Sequence, residues 1–115
     1  MRPFERVSLL KRDREAIEAA VQLLKKKLSP EMVILFGSKA RGDYDEHSDI
    51  DLLVISPMPL HWKEEKAVVE ALFDIGMKYD VLFSPLFIST EEWEAGMFRE
   101  FPLYQQITRD GAVVT

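Results

Sequence analysis

The fold is constrained most by two short, wholly apolar runs separated by a polar segment. Met32-Val33-Ile34-Leu35-Phe36 ends at Gly37-Ser38, and Leu52-Leu53-Val54-Ile55 begins directly after Asp49-Ile50-Asp51. An apolar run of this length with no polar alternation is expected of a strand covered on both faces. Gly37 permits a sharp turn and the close approach of another group. Ser38 suits an N-cap, so a short helix is expected to start there. Asp43 to Ser48 reads as a polar loop, and Asp49 to Ile55 as the second strand.

The flanking segments supply helices for that sheet. Between Ser8 and Leu28, the residues Ile17, Ala20, Val21, Leu24 and Leu28 recur at helical spacing. Lys25, Lys26 and Lys27 crowd the last turn, where cations complement the helix dipole, and Pro30 ends the pattern. Trp62 to Tyr79 reads as a second long helix with Val69, Leu72, Phe73 and Gly76 inward. Tyr79 to Ser89 is the third strand, and Pro85 within it implies an edge, a bulge or two short strands. Ser89-Thr90-Glu91-Glu92 is a capping box for a helix that includes Trp93, Met97 and Phe98. Pro102 to Arg109 forms a last short helix closed by Gly111. Trp62, Phe73, Trp93 and Phe98 fall at helical core positions and read as packing groups. The expected order is α-β-α-β-α-β-α-α: an α/β (α+β) fold with a small mixed sheet packed by helices.

A chain of 115 residues is expected to form a single domain, residues 1–115. The N-terminal residues lack the apolar core of a secretory signal, no run approaches the length needed to span a bilayer, and there is no cysteine. Cytoplasmic residence without membrane contact is the simplest expectation. The net charge of −5 argues against direct nucleic-acid binding, which calls for a basic surface. The lysine run at residues 25–27 reads as a solvated helix end instead. An acidic protein that handles phosphates should depend on divalent cations to cancel charge locally.

Residues i and i+2 of a strand share a face, so Asp49 and Asp51 are expected to point together into one cleft. Two adjacent buried carboxylates are costly without a cation. Beside a Gly37-Ser38 turn with free N–H donors, they have the makings of a magnesium–nucleotide site. The chain lacks the Walker pattern and the dinucleotide glycine fingerprint. Arg41 is placed either to neutralise phosphate or to fix the loop. Arg41-Gly42-Asp43 spells a cell-adhesion tripeptide, a reading that the neighbouring residues displace. His47 reads as a solvated loop residue. His61 has no companion at zinc spacing and reads as structural.

Gly-Ser, ten residues, then Asp-x-Asp is similar to the signature of the DNA polymerase beta nucleotidyltransferase superfamily. With Ala40-Arg41-Gly42 and Ser48-Asp49-Ile50-Asp51-Leu52 flanking it, the chain resembles the minimal nucleotidyltransferase (MNT) domains, many of which are antitoxins paired with a HEPN-domain toxin. The resemblance implies that Asp49 and Asp51 hold Mg²⁺, that Gly37 and Ser38 bind the β- and γ-phosphates of ATP, and that Arg41 assists. It also implies a third catalytic and metal-holding carboxylate on a later strand, for which Asp80 is the best candidate. The implied reaction moves AMP to a hydroxyl, here a tyrosine of a HEPN-type toxin, within a homo- or hetero-oligomer. The competing reading is a non-catalytic antitoxin of the same fold that neutralises its partner by binding alone.

Overall fold

The computed structural model describes all 115 residues. Five strands form one sheet: β1 (Arg2–Pro3), β2 (Met32–Phe36), β3 (Ile50–Ser56), β4 (Phe83–Ser89) and β5 (Ala112–Val113). The helices are α1 (Lys11–Leu28), α2 (Gly37–Arg41), α3 (Trp62–Tyr79), α4 (Thr90–Ala95) and α5 (Pro102–Asp110). The strand order is β1-β5-β2-β3-β4. The pairs β1–β5 and β3–β4 are parallel, whereas β2 runs antiparallel to both β3 and β5. The sheet is therefore mixed, as expected. β4 lies at its edge, which suits Pro85, since a proline cannot donate to a ladder on both sides.

The apolar runs of β2 and β3 are indeed covered on both faces. Val33, Leu35, Ile50, Leu52 and Val54 pack with Ile17, Ala20 and Leu24 of α1 and Val68 and Leu72 of α3. Ile34, Leu53 and Ile55 point the other way, against Phe98 and Ile107. Alternation along β3 thus sends Ile50 and Leu52 to the first face. Asp51 lies on the second face with Leu53.

Several expectations are corrected. β1 and β5, two residues each, are additional strands; pairs so short carry no periodicity to read. α1 begins at Lys11, three residues after Ser8, with Arg14 N–H donating to the Leu10 carbonyl. α2 begins at Gly37 with no side-chain cap, so Ser38 lies inside its first turn. In α3 the buried stripe is Val68, Leu72 and Gly76. Val69 and Phe73 are 42% and 57% exposed, and Trp62 is 63% exposed. His61 is structural in a specific way: its Nδ1 accepts from Lys63 N–H at 3.1 Å, while its own N–H donates to Glu64 Oε1 at 3.2 Å. Ser89 caps α4 through Glu92 N–H, but the Glu92 carboxylate accepts from Phe98 N–H at 2.9 Å, fixing the short 3₁₀ turn Met97–Glu100 that follows α4.

The third strand also starts later than expected. Tyr79 is the last residue of α3 and Asp80 is its C-cap, with a left-handed φ of 58°. Val81 N–H donates to the Gly76 carbonyl at 2.9 Å, so the chain folds back over Gly76. A Cβ there would stand 2.5 Å from the Val81 oxygen, so the reversal depends on glycine. Residues 79–80 are spent on ending the helix, and β4 begins only at Phe83.

Candidate functional site

The ends of β2 and β3 meet at the Gly-Ser turn. Phe36, the last residue of β2, is the register partner of Asp51. Gly37 follows with a φ of 74°, a conformation that L side chains rarely adopt. A Cβ built on Gly37 would lie 2.1 Å from Asp51 Oδ2. The glycine therefore gives the Asp51 carboxylate its space. The motif's glycine and its second aspartate form one contact.

Asp49 immediately precedes β3 and Asp51 is its second residue, so both carboxylates leave the sheet on the second face. Burial and the neighbouring Asp49 charge raise the Asp51 carboxyl above its ordinary value, with Arg41 opposing. A pair of like charges that Arg41 offsets only in part suits a cation site. Two carboxylates suit a divalent cation that takes its remaining oxygens from phosphate and water, as Mg²⁺ commonly does. No group of three or more His, Asp or Glu side chains is placed to hold a metal.

Asp80 is not brought to this pair. Its side chain is 98% exposed and lies 3.8 Å from Arg12 of α1. It caps a helix that packs on the first face, whereas Asp49 and Asp51 leave the second. The expectation that a strand carries Asp80 into their cleft is corrected. Asp80 lines instead a separate open pocket of about 510 Å³ with Arg12, Glu46, Ser48, Met77 and Leu82. The neighbouring place on β4 belongs to Ser84, the register partner of Asp51, whose hydroxyl donates to Asp49 Oδ2 at 2.9 Å.

Arg41 is at the end of α2, with Nε 3.2 Å from Asp43 Oδ2, so it does fix the loop. Its charge also reaches Asp51. Gly42 follows as the left-handed C-cap, φ 89°. His47 is exposed, with its ring 3.4 Å from the Glu46 carboxylate and its backbone N–H donating to Asp45 Oδ1 at 2.8 Å.

Two residues of the site's framework escape sequence reasoning. Lys39, next to Ser38, is buried, and its Nζ donates to Asp13 Oδ2 of α1 at 2.7 Å. The same ammonium lies 4.0 Å from the centre of the Tyr44 ring, which ties the polar loop to α2. A lysine between Ser38 and Arg41 looks like one more surface cation, and nothing in the sequence points to a partner 26 residues earlier. Ser84 does have a weak signal: in a parallel ladder beside Asp51 it shares the aspartates' face.

Comparison with known proteins places the chain in a family. A family model for a nucleotidyltransferase domain matches residues 16–101. Two proteins of Methanocaldococcus jannaschii, each named a "putative protein adenylyltransferase", are similar in sequence. One is 45% identical over 64 residues, 56% of this chain and 63% of that protein, so the matched region spans less than two thirds of its length. The other is 35% identical over 81 residues, 69% of this chain and 76% of that protein. Among solved structures, a protein described as a "putative minimal nucleotidyltransferase" superposes with a TM-score of 0.58 at 27% identity, covering 90% of this chain and 96% of that one. A chain of a toxin–antitoxin complex solved with AMP-PNP gives 0.59 at 21% identity, over 90% of this chain and 72% of the other. A chain from the complex of a tri-AMPylated Shewanella oneidensis HEPN toxin with its MNT antitoxin gives 0.55 at 18%, over 87% and 69%. The family match, over most of the chain and including both Gly37 and Asp51, shows that this protein belongs to the nucleotidyltransferase domain family.

Proposed function

We propose that the protein transfers AMP from ATP to a hydroxyl of a partner protein, a tyrosine of a HEPN-type toxin, and so acts as an antitoxin in the cytoplasm. The observation that carries this is the carboxylate pair itself: two same-face carboxylates set against a glycine turn whose open space admits Asp51. The similarity to proteins named as adenylyltransferases supports the reaction class. The fold shared with chains of toxin–antitoxin complexes supports the kind of partner.

Asp49 and Asp51 are the residues to hold Mg²⁺, which when bound offsets charge on the attacking and leaving oxygens. Gly37 and Ser38 offer backbone N–H groups and the Ser38 hydroxyl to the β- and γ-phosphates, an anion-binding use of a turn. Arg41, held by Asp43, adds a cation at the mouth. With the triphosphate so oriented, the acceptor hydroxyl oxygen bonds to the α-phosphorus as the α–β bridging P–O bond breaks, pyrophosphate leaves opposite, and the hydroxyl proton passes to a carboxylate of the pair or to water. The chain's own part is positioning and charge.

One observation favours a second reading, neutralisation by binding alone: no third acidic side chain joins Asp49 and Asp51, and the β4 register partner of Asp51 is Ser84. A single experiment separates the two. The protein is co-expressed with a small helical partner from the adjacent gene, then incubated with ATP and Mg²⁺ and analysed by mass spectrometry. An AMP adduct on a partner tyrosine, lost in Asp49→Ala/Asp51→Ala, is the expected result. A stable complex without any adduct supports the binder. Transfer only to a small metabolite, with no complex, overturns both.

A further inference from the structure

We propose that Ser84 is the third member of the carboxylate cleft, and that it makes this a two-carboxylate site in which a divalent cation binds together with the triphosphate, not ahead of it. The inference rests on the nucleotidyltransferase reading above and assigns a positioning residue within it. Ser84 is the register partner of Asp51 across the parallel β3–β4 pair, so both side chains leave the same face of the sheet. Its hydroxyl donates to Asp49 Oδ2 at 2.9 Å in a half-buried setting. A hydrogen bond from a neutral donor to a carboxylate fixes its orientation and supports its charge. It adds no negative charge of its own.

The consequence is chemical. Asp80, the other acidic side chain at this end of β4, is turned to Arg12 and solvent. A cation entering the cleft alone therefore meets only Asp49 and Asp51. Mg²⁺-like ions bound through one or two carboxylates complete their shells with water and substrate phosphates. Ser84 fixes the Asp49 carboxylate in one orientation on the face it shares with Asp51.

The test uses Mn²⁺ as probe, with binding to the intact protein followed by calorimetry and by the EPR signal of free Mn²⁺. Wild type should bind Mn²⁺·ATP and bind Mn²⁺ alone at least tenfold more weakly. Ser84→Asp, which adds a third carboxylate, should tighten Mn²⁺ binding without nucleotide at least tenfold. Ser84→Ala should weaken Mn²⁺·ATP binding fivefold or more, and Ser84→Thr, which keeps the hydroxyl, should bring it back to within twofold. Thermal melting of each variant establishes that it is folded, and the Ala/Thr pair decides the matter should the Asp variant not fold. Equal Mn²⁺ affinity in wild type and a folded Ser84→Asp overturns the placement. Equal damage by Ala and Thr overturns the positioning role, because it would report packing. If Asp80→Asn costs as much Mn²⁺ affinity as Asp49→Asn, the third place returns to Asp80 and the proposal fails. Failure of wild type to bind Mn²⁺·ATP, with tight Mn²⁺ binding by Ser84→Asp, would sink the nucleotide reading while supporting this geometry.

Discussion

At the scale of single residues, the cleft is defined by what Gly37 lacks. Any side chain there would have to displace the Asp51 carboxylate, and would also sit in a left-handed conformation that favours glycine. Gly37→Ala should therefore destabilise the fold by about 1–3 kcal/mol, the usual cost of forcing such a site. Urea unfolding checks this, and a variant as stable as wild type would show that Asp51 moves aside freely. Asp51 makes a second prediction, with a definite sign. Its carboxyl is raised by burial, then by the Asp49 charge. Between the ordinary carboxylate pKa and this raised value, the folded protein keeps a proton that the unfolded chain has released. Stability must fall as pH climbs through that window, and the loss persists above it. In metal-free buffer Asp51→Asn should thus melt a few degrees higher near neutral pH. The gain should vanish once pH drops below the ordinary carboxylate value. A variant that melts no higher at neutral pH would mean that water and Arg41 already offset the charge.

Among the elements, the short helix α2 is held by the only charged pair buried on both sides, Lys39–Asp13 at 2.7 Å. Asp13 Oδ1 has no hydrogen-bond donor, and Arg12 Nε is also without an acceptor although it lies 3.6 Å away. Removing one partner of a buried pair leaves a stranded charge and typically costs about 3–5 kcal/mol. Lys39→Met should lose about that much in denaturant unfolding, and Lys39→Met/Asp13→Leu should recover most of it. Strictly additive losses would show that the pair is not coupled. Elements of this kind also show where sequence reading stops. The strands were legible because Met32–Phe36 and Leu52–Ile55 are apolar on every residue, which only a two-sided core explains. The inward stripe of α3 was not, because Val69, Phe73 and Met77 form a second apolar stripe beside Val68, Leu72 and Gly76, and periodicity cannot choose between two. Asp80 was misplaced for a related reason. Its neighbours Val81, Leu82 and Phe83 read as strand, while the left-handed position that ends the helix over Gly76 is filled by Asp80 itself, where a glycine is the usual signal.

Across the whole molecule, the sheet brings chain ends that are distant in sequence to the functional end of the fold. Arg2, on β1, donates to the carbonyls of Ala40 in α2 and Asp110 in α5. The pairing of β1 with β5 that makes this reach possible was invisible in two-residue segments, whereas the shared face of Asp49 and Asp51 was legible from strand alternation. The charge balance was legible too, and it yields the last prediction. A protein of net charge −5 with two carboxylates in its cleft must repel a bare triphosphate. Binding of ATP in EDTA should be at least tenfold weaker than with Mg²⁺. The sign of the salt effect is diagnostic. If repulsion dominates, raising monovalent salt from about 0.05 M to about 0.3 M screens it and should strengthen the residual metal-free binding. If instead a basic pocket formed by Arg41 and its neighbours bound the phosphates, the same salt would weaken binding, as it does wherever cations neutralise phosphate. Titration calorimetry at the two ionic strengths separates the cases, and a fall in affinity with salt would move the weight of phosphate recognition from the carboxylate-held cation to Arg41.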